Sequence, residues 1–423
     1  MRRHVSMAFL AALSLSSAPS LFAEDWPQFR GPTGQGISTE TGLPVRWSAE
    51  SGVAWRTPLP GHGWSSPIVQ GERVFVTTAT EEGRSFRLLC LERTTGELLW
   101  DREVFQQSLD SRLQQGNSYA TPTPVSDGRH VYVLAFDGSI AAVADDGTIA
   151  WTNRDYPFYG QHGLAVSPRL FGELLVIPFD GSSRGEDKLV GFKKPWDQAL
   201  IVALDKATGE LRWRGSRGLS RIGHVTPNLV RHGDREVLVS GAGDVIQGFD
   251  LATGERLWTV RSQGEGVVPS VVVGDGLVFT SSGFEEPTIR AVRPGGRGDV
   301  TGTHVAWEQT RSVPTMPSFL YVAPYLFTIN ESGLAQCLDA STGEVLGQLR
   351  VGGRHSASPI YAEGRIYFLS ESGETTVVEA TPEMAVVARN AIPEHTQASL
   401  AVSGGRILQR TEKALYSLGP GRP

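Results

Sequence analysis

The chain has 423 residues, with 39 Lys and Arg against 45 Asp and Glu, which gives a formal net charge of −6. This mildly acidic balance, without clustered basic residues, argues against a nucleic-acid-binding surface and is typical of a soluble protein. The 49 glycines and 25 prolines indicate many short strands joined by tight turns.

The N-terminus predicts a secretory signal peptide. Arg2 and Arg3 precede a short apolar run, and small residues follow up to Ala23. The run is shorter than the roughly 20 residues that a membrane-spanning helix needs, and no later stretch of the sequence is long enough. We therefore expect residues 1–23 to be removed and the mature protein to be soluble, in the periplasm or outside the cell, without a lipid anchor.

After an N-terminal extension, residues 24–52, one repeating unit runs along the chain. In its fullest form Ser66-Pro67 leads into a strand, two more strands follow, and a Thr95-Gly96-Glu97 turn precedes Trp100. The proline returns at Pro122, Pro168, Pro227, Pro269, Pro317 and Pro359, and the tryptophan at Trp151, Trp213, Trp258 and Trp307. Four strands in a repeat of this length are typical of a β-propeller blade.

The two ends of the repeat array complement each other. Residues 398–418 supply three strands without a fourth, and residues 53–59 form a lone Trp-containing strand without the preceding three. Pairing them completes an eighth blade and removes exposed sheet edges. The prediction is an all-β fold, an eight-bladed β-propeller with four-stranded antiparallel blades, forming one domain over residues 53–423 and closed by the N-terminal strand. Six or seven blades are the alternative if the terminal segments pair differently.

Two residue types in the repeat are interpreted as packing residues. One tryptophan per unit at a fixed position predicts contacts between blades rather than a cofactor cradle. Leu346 in the sixth unit and Val386 or Val387 in the seventh are expected at that position, with looser interfaces. Cys90 and Cys337 occupy equivalent third-strand positions three blades apart, too far for a disulfide, so we expect two buried free thiols.

The repeat resembles a known group of propellers. The stretch from Ala203 to Trp213 is similar to the docking motif of pyrroloquinoline-quinone (PQQ) propellers, and to the propeller lipoprotein of outer-membrane barrel assembly (BamB type). The opening from Asp25 to Pro32 resembles the start of secreted bacterial quinone-repeat-like proteins of unassigned activity. The resemblance spans nearly the whole mature chain, and it implies the fold more than the function.

The sequence departs from these relatives in ways that limit what the resemblance implies. Quinone-dependent alcohol dehydrogenases of this type carry a disulfide between adjacent cysteines and long insertions that build a calcium and substrate site, whereas this sequence has no Cys-Cys pair. We therefore expect no catalytic residues, no resident cofactor and a monomer that binds or scaffolds an envelope protein or small ligand. A PQQ-dependent oxidoreductase and a cell-wall polysaccharide binder are the alternatives.

A candidate ligand site follows from propeller geometry. The segments just before the repeat prolines converge at one mouth of the central channel, and five of the nine histidines lie there. The candidate ring consists of His62, Asn117, His162, Arg221, His224, Glu265, Arg311, Arg354, His355 and His395. We interpret this ring as a site for an organic or anionic ligand. The alternative is that the side chains cap loops or hold channel water. A metal is disfavoured, because its ligands must lie close together.

The third unit carries a long polar insertion that is the second candidate site. Loops on a rigid scaffold often carry recognition. The candidate partner-binding residues are Arg184, Glu186, Asp187, Lys188 and Trp196, and we expect Trp196 to be exposed. The alternative is a solvated insertion that binds nothing.

Overall fold

The computed structural model describes residues 23–420, so the predicted signal peptide lies outside the described residues, except for Ala23. The described residues form eight sheets, each with four antiparallel strands, and one of them has a fifth strand added in parallel. The first strands of neighbouring sheets contact one another, so each sheet runs outward from a central axis. The predicted eight-bladed β-propeller is confirmed.

The first four blades follow one another along the chain. Blade 1 contains β2 (Ile68–Gln70), β3 (Arg73–Thr80), β4 (Ser85–Glu92) and β5 (Leu98–Gln106), with a short 3-10 turn at Glu81–Gly83. Blade 2 contains β6 (Val125–Ser126), β7 (His130–Leu134), β8 (Ile140–Ala144) and β9 (Ile149–Asn153). Blade 3 contains β10 (Arg169–Phe171), β11 (Leu174–Phe179), β12 (Leu200–Asp205) and β13 (Leu211–Ser216). Blade 4 contains β14 (Asn228–His232), β15 (Arg235–Ala242), β16 (Val245–Asp250) and β17 (Arg256–Arg261).

The remaining blades include the closure of the ring. Blade 5 contains β18 (Val272–Gly274), β19 (Leu277–Ser281), β20 (Ile289–Val292) and β22 (Val305–Gln309), preceded by α1 (Thr301–His304). Its β21 (Gly298–Asp299) pairs in parallel with β17 of blade 4. Blade 6 contains β23 (Leu320–Val322), β24 (Tyr325–Ile329), β25 (Leu334–Asp339) and β26 (Val345–Arg350). Blade 7 contains β27 (Ile360–Ala362), β28 (Arg365–Leu369), β29 (Glu374–Glu379) and β30 (Val386–Ala391). Blade 8 contains β31 (Ala401–Ser403), β32 (Arg406–Arg410), β33 (Ala414–Leu418) and β1 (Val53–Pro58). Among residues 23–420, no helix is long and apolar enough to cross a membrane.

Blade 8 joins the two ends of the chain. Strand β1 pairs antiparallel with β33, and places Trp55 opposite Ser417 and Arg56 opposite Tyr416. The pairing covers the outer edge of β33, which would otherwise present unpaired backbone groups. The predicted closure by an N-terminal strand is therefore confirmed.

Tryptophans on the outermost strands link neighbouring blades. The indole Nε1 of Trp213 donates to the carbonyl of Leu251 in blade 4 at 2.9 Å. A side chain at Gly254 in the same turn would collide with the Trp213 ring, so glycine is required there. The same contact is made by Trp55, Trp100, Trp151 and Trp307. Apolar clusters likewise extend from one blade into the next, so the core lies between the sheets.

The structure corrects the expectation for the tryptophan position in blades 6 and 7. Gly347 pairs with Cys337, and Ala388 pairs with Val377, in the register that tryptophan occupies elsewhere. Leu346 falls at the β-bulge and is exposed, as is Val386, while Val387 is the bulge residue of its strand. The bulge turns Leu346 to solvent, so hydrophobicity alone misplaced it, whereas Val387 packs against the core without taking the register of the tryptophan.

The glycine in blade 6 makes a close interface rather than a loose one. A Cβ at Gly347 would lie 1.8 Å from the carbonyl oxygen of Pro382 in blade 7. The backbones therefore approach each other where a tryptophan fills the space between other blades. Cys90 and Cys337 are both buried and free, as expected, and burial raises the pKa of each thiol to about 12.

The N-terminal segment before β1 crosses one end of the channel. It contacts the innermost strands of blades 1, 2, 5 and 7 through bonds to Val69, Ser126, Val273 and Tyr361. Within the segment, Trp26 is fully buried and the Arg30 guanidinium donates to the carbonyl of Phe319, next to blade 6. Val69, Val273 and Tyr361 are the middle residues of their strands and Ser126 is the last residue of β6, so these bonds lie beyond the pre-proline segments that carry the predicted ring. Phe29 of the same segment forms part of the wall of the axial cavity.

Candidate functional site

The axis of the propeller contains a cavity of about 960 Å³. Its walls come from the segments that precede the innermost strands and from the turns between second and third strands. A cavity of this size can hold a small organic molecule or a short peptide segment.

A ring of hydroxyl-bearing side chains surrounds the cavity. One Ser or Thr comes from each blade: Ser66, Thr123, Ser167, Thr226, Ser270, Ser318, Ser358 and Ser399. At seven of the eight blade junctions, the backbone N–H of one residue donates to the hydroxyl of the next at 2.9 to 3.2 Å. Between blades 4 and 5 the bond is missing, and the Ser270 hydroxyl has no partner within residues 23–420. Seven of these eight residues, all but Ser270, line the cavity, so the ring encircles the axis.

Most of the predicted polar ring lines this cavity. The lining residues are His62, Asn117, His162, His224, Glu265, Arg354 and His395. His355 is instead buried beside the cavity, with its ring nitrogens 2.9 and 2.8 Å from backbone carbonyls of Leu369 and Gly352. Arg221 bonds Glu285 at the rim, and the side chain of Arg311 is exposed.

One wall of the cavity carries buried polar atoms without partners. His224 is 5% exposed, and neither of its ring nitrogens has a hydrogen-bond partner among the described residues. Its ring centroid lies 5.9 Å from that of His162. Burial, with a smaller contribution from His162, lowers the pKa of His224 to about 3, so its imidazole is neutral at pH 7. Glu265 accepts a bond from Lys193 at 2.9 Å through Oε1, while its buried Oε2 has no partner in the described chain.

The opposite wall contains an aromatic group. The Trp64 ring lies between two histidine edges, 4.7 Å from His62 and 5.2 Å from His395 between centroids. Burial and the nearby Arg410 guanidinium lower the pKa of His62. Arg410 is itself buried and donates to Ser65 and to a neighbouring carbonyl, so it supports the wall.

Three glutamates of the cavity come from equivalent positions in successive blades. Glu331, Glu371 and Glu412 are each the second residue after the second strand, in blades 6, 7 and 8. We call these three residues the acidic arc. The arc was not predicted from the sequence, because only the segments before the repeat prolines were expected to reach the axis. The available signal was a Ser, Thr or Asn followed by Glu after the second strand of blades 6, 7 and 8.

The lining of the cavity is acidic. Its charged residues are Glu265 and the three glutamates of the acidic arc, against Arg354 as the one lysine or arginine among the lining residues of the described chain. Burial lowers the pKa of His62, His162 and His224, so these side chains do not offset the negative charge at pH 7. The electrostatics therefore favour a cation over the anion considered from the sequence.

The cofactor for which this repeat is named does not fit the lining. Pyrroloquinoline quinone is a tricarboxylic acid, and here it would face four glutamates and one arginine. Within residues 23–420 there is also no group of three His, Cys, Asp or Glu side chains placed to hold a metal ion beside it. The residues present do not fit this group.

The blade-three insertion lies next to the cavity mouth. Its Phe192 packs edge-on against His162 with centroids 5.1 Å apart, and its Lys193 bonds Glu265 and Glu285. Phe192 and Lys193 were not predicted as site residues, because the sequence alone does not show what an apolar or charged loop residue contacts.

The insertion residues that the sequence did single out lie further from the axis. The cations of Arg184 and Lys188 stand over the Tyr159 ring, Asp187 pairs with Lys194 at 2.7 Å, and Glu186 is exposed. The backbone of Trp196 pairs with Ser220, and its side chain is partly buried rather than exposed. It lines a second groove of about 410 Å³ whose other aromatic residues are Tyr156, Phe158, Tyr159 and Phe179.

The buried histidine predicts a pH dependence of folding. Because the pKa of His224 is about 3 when folded and near 6.5 when unfolded, the unfolded state takes up a proton first as the pH falls. Above about pH 6.5 the imidazole is neutral in both states, so it makes no pH-dependent contribution. Between about pH 6.5 and 3 it is protonated only in the unfolded state, so the free energy of unfolding falls as the pH falls. We expect the free energy of unfolding to fall from pH 7 to pH 5 less steeply in His224→Gln than in the parent, measured by urea denaturation. His232→Gln, at an exposed site, should keep the parental slope, and equal slopes in all three proteins would contradict the assignment.

Comparisons with known proteins agree with this architecture. A family model described as outer membrane protein assembly factor BamB matches residues 53–294. A curated relative, the outer membrane protein assembly factor BamB of Alkalilimnicola ehrlichii, is 31% identical over 156 residues. That stretch is 37% of this chain and 33% of the relative, so the match spans about a third of the relative's length.

Solved structures share the fold at low sequence identity. BamB from Moraxella catarrhalis is 12% identical, with a TM-score of 0.59 over 86% of this chain and 99% of that chain. A europium-containing methanol dehydrogenase is 10% identical, with a TM-score of 0.67 over 93% of this chain and 89% of that chain. At such identities the likeness shows the fold alone. The family model, in contrast, covers more than half of the sequence, and the chain therefore belongs to the family of the outer membrane protein assembly factor BamB.

Proposed function

We propose that this chain is exported and serves in the cell envelope as a non-catalytic scaffold, which binds a protein partner with the face around the cavity mouth. Membership of the BamB family supports a protein-binding role in the envelope. The curated relative that matches part of the chain is named an outer membrane protein assembly factor. The proposal extends that kind of role to this chain, with a partner of its own.

The observation that carries the proposal is a set of large apolar side chains exposed on the mouth face. Leu189 is 46% exposed, Leu219 is 62% exposed and Phe284 is 46% exposed. We call these three residues the mouth patch. They lie in the blade-three insertion, in the loop from β13 to β14 and in the turn from β19 to β20, all on the side of the mouth. Exposed apolar residues held on a rigid scaffold are typical of protein-binding surfaces.

The polar residues next to the mouth patch complete the pattern of an interface. Arg184, Glu186, Asp187 and Lys188 directly precede Leu189 and are exposed. An apolar centre with a charged rim is the usual composition of a transient protein interface. These charged residues therefore support the assignment of the mouth face as the docking surface.

Site-specific photo-crosslinking in the producing cells tests the proposal. A benzoylphenylalanine in place of Leu189 or Phe284 should form a covalent adduct with one and the same envelope protein, identified by mass spectrometry. The matched control replaces Leu346, which is 41% exposed on the outermost strand of blade 6, and should give no such adduct. Adducts that are absent at the mouth patch, or the same from Leu346, would overturn the proposal.

A further inference from the structure

We propose that the axial cavity is a binding site for an organic polycation, whose ammonium or guanidinium groups come from a free polyamine or from a basic segment of the protein partner. The second source rests on the proposed function, and the first does not. The inference is drawn from unpaired acceptors, from the placement of the acidic arc and from the charge balance of the lining.

The first binding point lies at the wall formed by His224 and Glu265. The buried Glu265 Oε2 and both ring nitrogens of His224 lack partners in the described chain, and both residues line the cavity. Leaving buried acceptors unpaired costs free energy that a bound donor would recover. A carboxylate oxygen and the unprotonated nitrogen of a neutral imidazole both accept hydrogen bonds, whereas an ammonium group only donates them.

The chain itself shows that this carboxylate accepts an ammonium group. Lys193 reaches over from the blade-three insertion and bonds Glu265 Oε1 at 2.9 Å, and it also bonds Glu285 at 3.1 Å. The Lys193 side chain is 39% exposed, so it occupies the rim and leaves the buried oxygen Oε2 to the cavity. A ligand cation would therefore bind on the inner side of the same carboxylate.

The second binding point is the acidic arc. Glu331 Oε1 is held by the backbone N–H groups of Thr315 and Met316 and by the Thr315 hydroxyl, at 2.6 to 2.7 Å. Glu371 accepts bonds from the Arg354 guanidinium at 3.1 Å and from the Ser356 hydroxyl. Carboxylates fixed in this way lose little freedom when a ligand binds.

The cations near the cavity do not neutralise the lining. Arg354 pairs with Glu371 and Lys193 with Glu265, while Arg221 pairs with Glu285 at the rim. The Lys413 ammonium lies 3.9 Å from Glu412 but its side chain is 65% exposed. Glu331 has no Lys, Arg or His ion pair within the described part of the chain. The buried Arg410 guanidinium behind the Trp64 wall is a further cation, bonded to Ser65 and to the Thr77 carbonyl. The four lining glutamates still outnumber Arg354, Lys193 and Arg410, so the balance favours a cation.

The positions of the two binding points favour a ligand with more than one positive charge. They come from blades 4 and 5 on one side and from blades 6 to 8 on the other. A molecule with linked cationic groups binds the second point with a high effective concentration once the first is occupied. Spermidine should therefore bind more tightly than a monoamine such as butylamine.

Calorimetric titration of the intact protein tests the inference. We expect spermidine to bind the parent, and the double variant Glu331→Gln/Glu412→Gln to lose at least tenfold in affinity while keeping the parental melting temperature. If the double variant is unstable, Glu412→Gln alone replaces it. This single variant should bind spermidine less tightly than the parent, with a smaller loss than in the double variant. The matched control is Glu210→Gln, an exposed glutamate in the turn between β12 and β13, which should bind like the parent.

The arms of the titration separate the two sources of the cation. Tighter binding of spermidine than of a Lys- and Arg-containing peptide supports a free polyamine, and the reverse order supports a basic segment of the partner. No binding of either probe, or an equal loss in Glu210→Gln, overturns the inference. Crosslinking from the mouth patch would still test the scaffold role in that case, so the two failures are distinguishable.

Discussion

A chain that lacks residues 24–59 is expected to lose cooperative folding. Without β1, blade 8 keeps three strands, and the edge of β33 from Ala414 to Leu418 is left unpaired. The deletion also removes Trp26, Trp47 and Trp55 from one continuous apolar core. The free energy lost with the closing strand and the buried aromatic side chains is expected to match or exceed the free energy of unfolding of a typical domain, which is about 5–15 kcal/mol. Thermal unfolding followed by circular dichroism, with size-exclusion chromatography, would show a broad transition and aggregated protein.

Restoring the strand in trans distinguishes the loss of closure from a general defect. A synthetic peptide of residues 24–59 should pair with the open edge and restore a monodisperse protein with a sharp transition, as strand addition does at other open sheets. The same peptide with Trp55→Ala should restore less, because Trp55 packs on Gly96 of blade 1 and bonds the Arg93 carbonyl. A truncated chain that melts at the parental temperature would show that the ring does not depend on this strand.

The fold could be predicted from the sequence because most of the repeats share the same boundary residues. The proline step, the Thr-Gly-Glu turn and the tryptophan fix where a blade begins and ends, and the missing strand at each terminus indicates the closure. Position within a strand was less predictable. Leu346 was assigned to the blade interface on hydrophobicity, whereas the β-bulge turns it to solvent and leaves Gly347 at the contact. The contacts of the N-terminal segment could not be predicted either, since they are single bonds to separate blades without a periodic pattern.

The candidate site could be predicted as a location but not as a set of side-chain directions. Seven of the ten predicted pre-proline residues line one cavity, and their role as a ligand site stays a prediction. Propeller geometry could not show that His355 turns toward two backbone carbonyls, or that Arg311 points to solvent. The acidic arc was missed because its glutamates belong to different turns, which approach the axis only when the blades assemble. The sequence therefore predicted a cavity lined mainly by histidines, whereas the structure shows a cavity whose lining is also acidic.

The substitution Asp180→Ala is expected to destabilise the protein by about 3 to 5 kcal/mol. Arg217 and Asp180 are both fully buried and form a bidentate ion pair. The guanidinium Nε lies 2.5 Å from Oδ1 of the carboxylate, and Nη2 lies 2.7 Å from Oδ2. Removing the carboxylate leaves a buried guanidinium with only hydroxyl, amide and carbonyl partners, including Ser240 and Gln247. Urea denaturation at pH 7 measures the loss. Asp180 is also the first residue of the blade-three insertion, so hydrogen exchange in residues 181–197 should increase in this variant.

Two further variants separate the buried charge from the mere loss of an ion pair. The exposed pair between Glu255 and Arg297, 3.1 Å apart, is screened by water, so Glu255→Gln should cost less than about 1 kcal/mol. Replacing both buried partners, as in Asp180→Leu/Arg217→Met, removes the unpaired charge and should recover much of the stability lost in Asp180→Ala. If the double variant is as unstable as the single one, the cost arises from packing and from the hydrogen bonds of Arg217, and the buried charge is not its cause. If it is stable but its insertion exchanges rapidly, the ion pair orders the loop that carries Leu189, and crosslinking from that position should weaken in parallel.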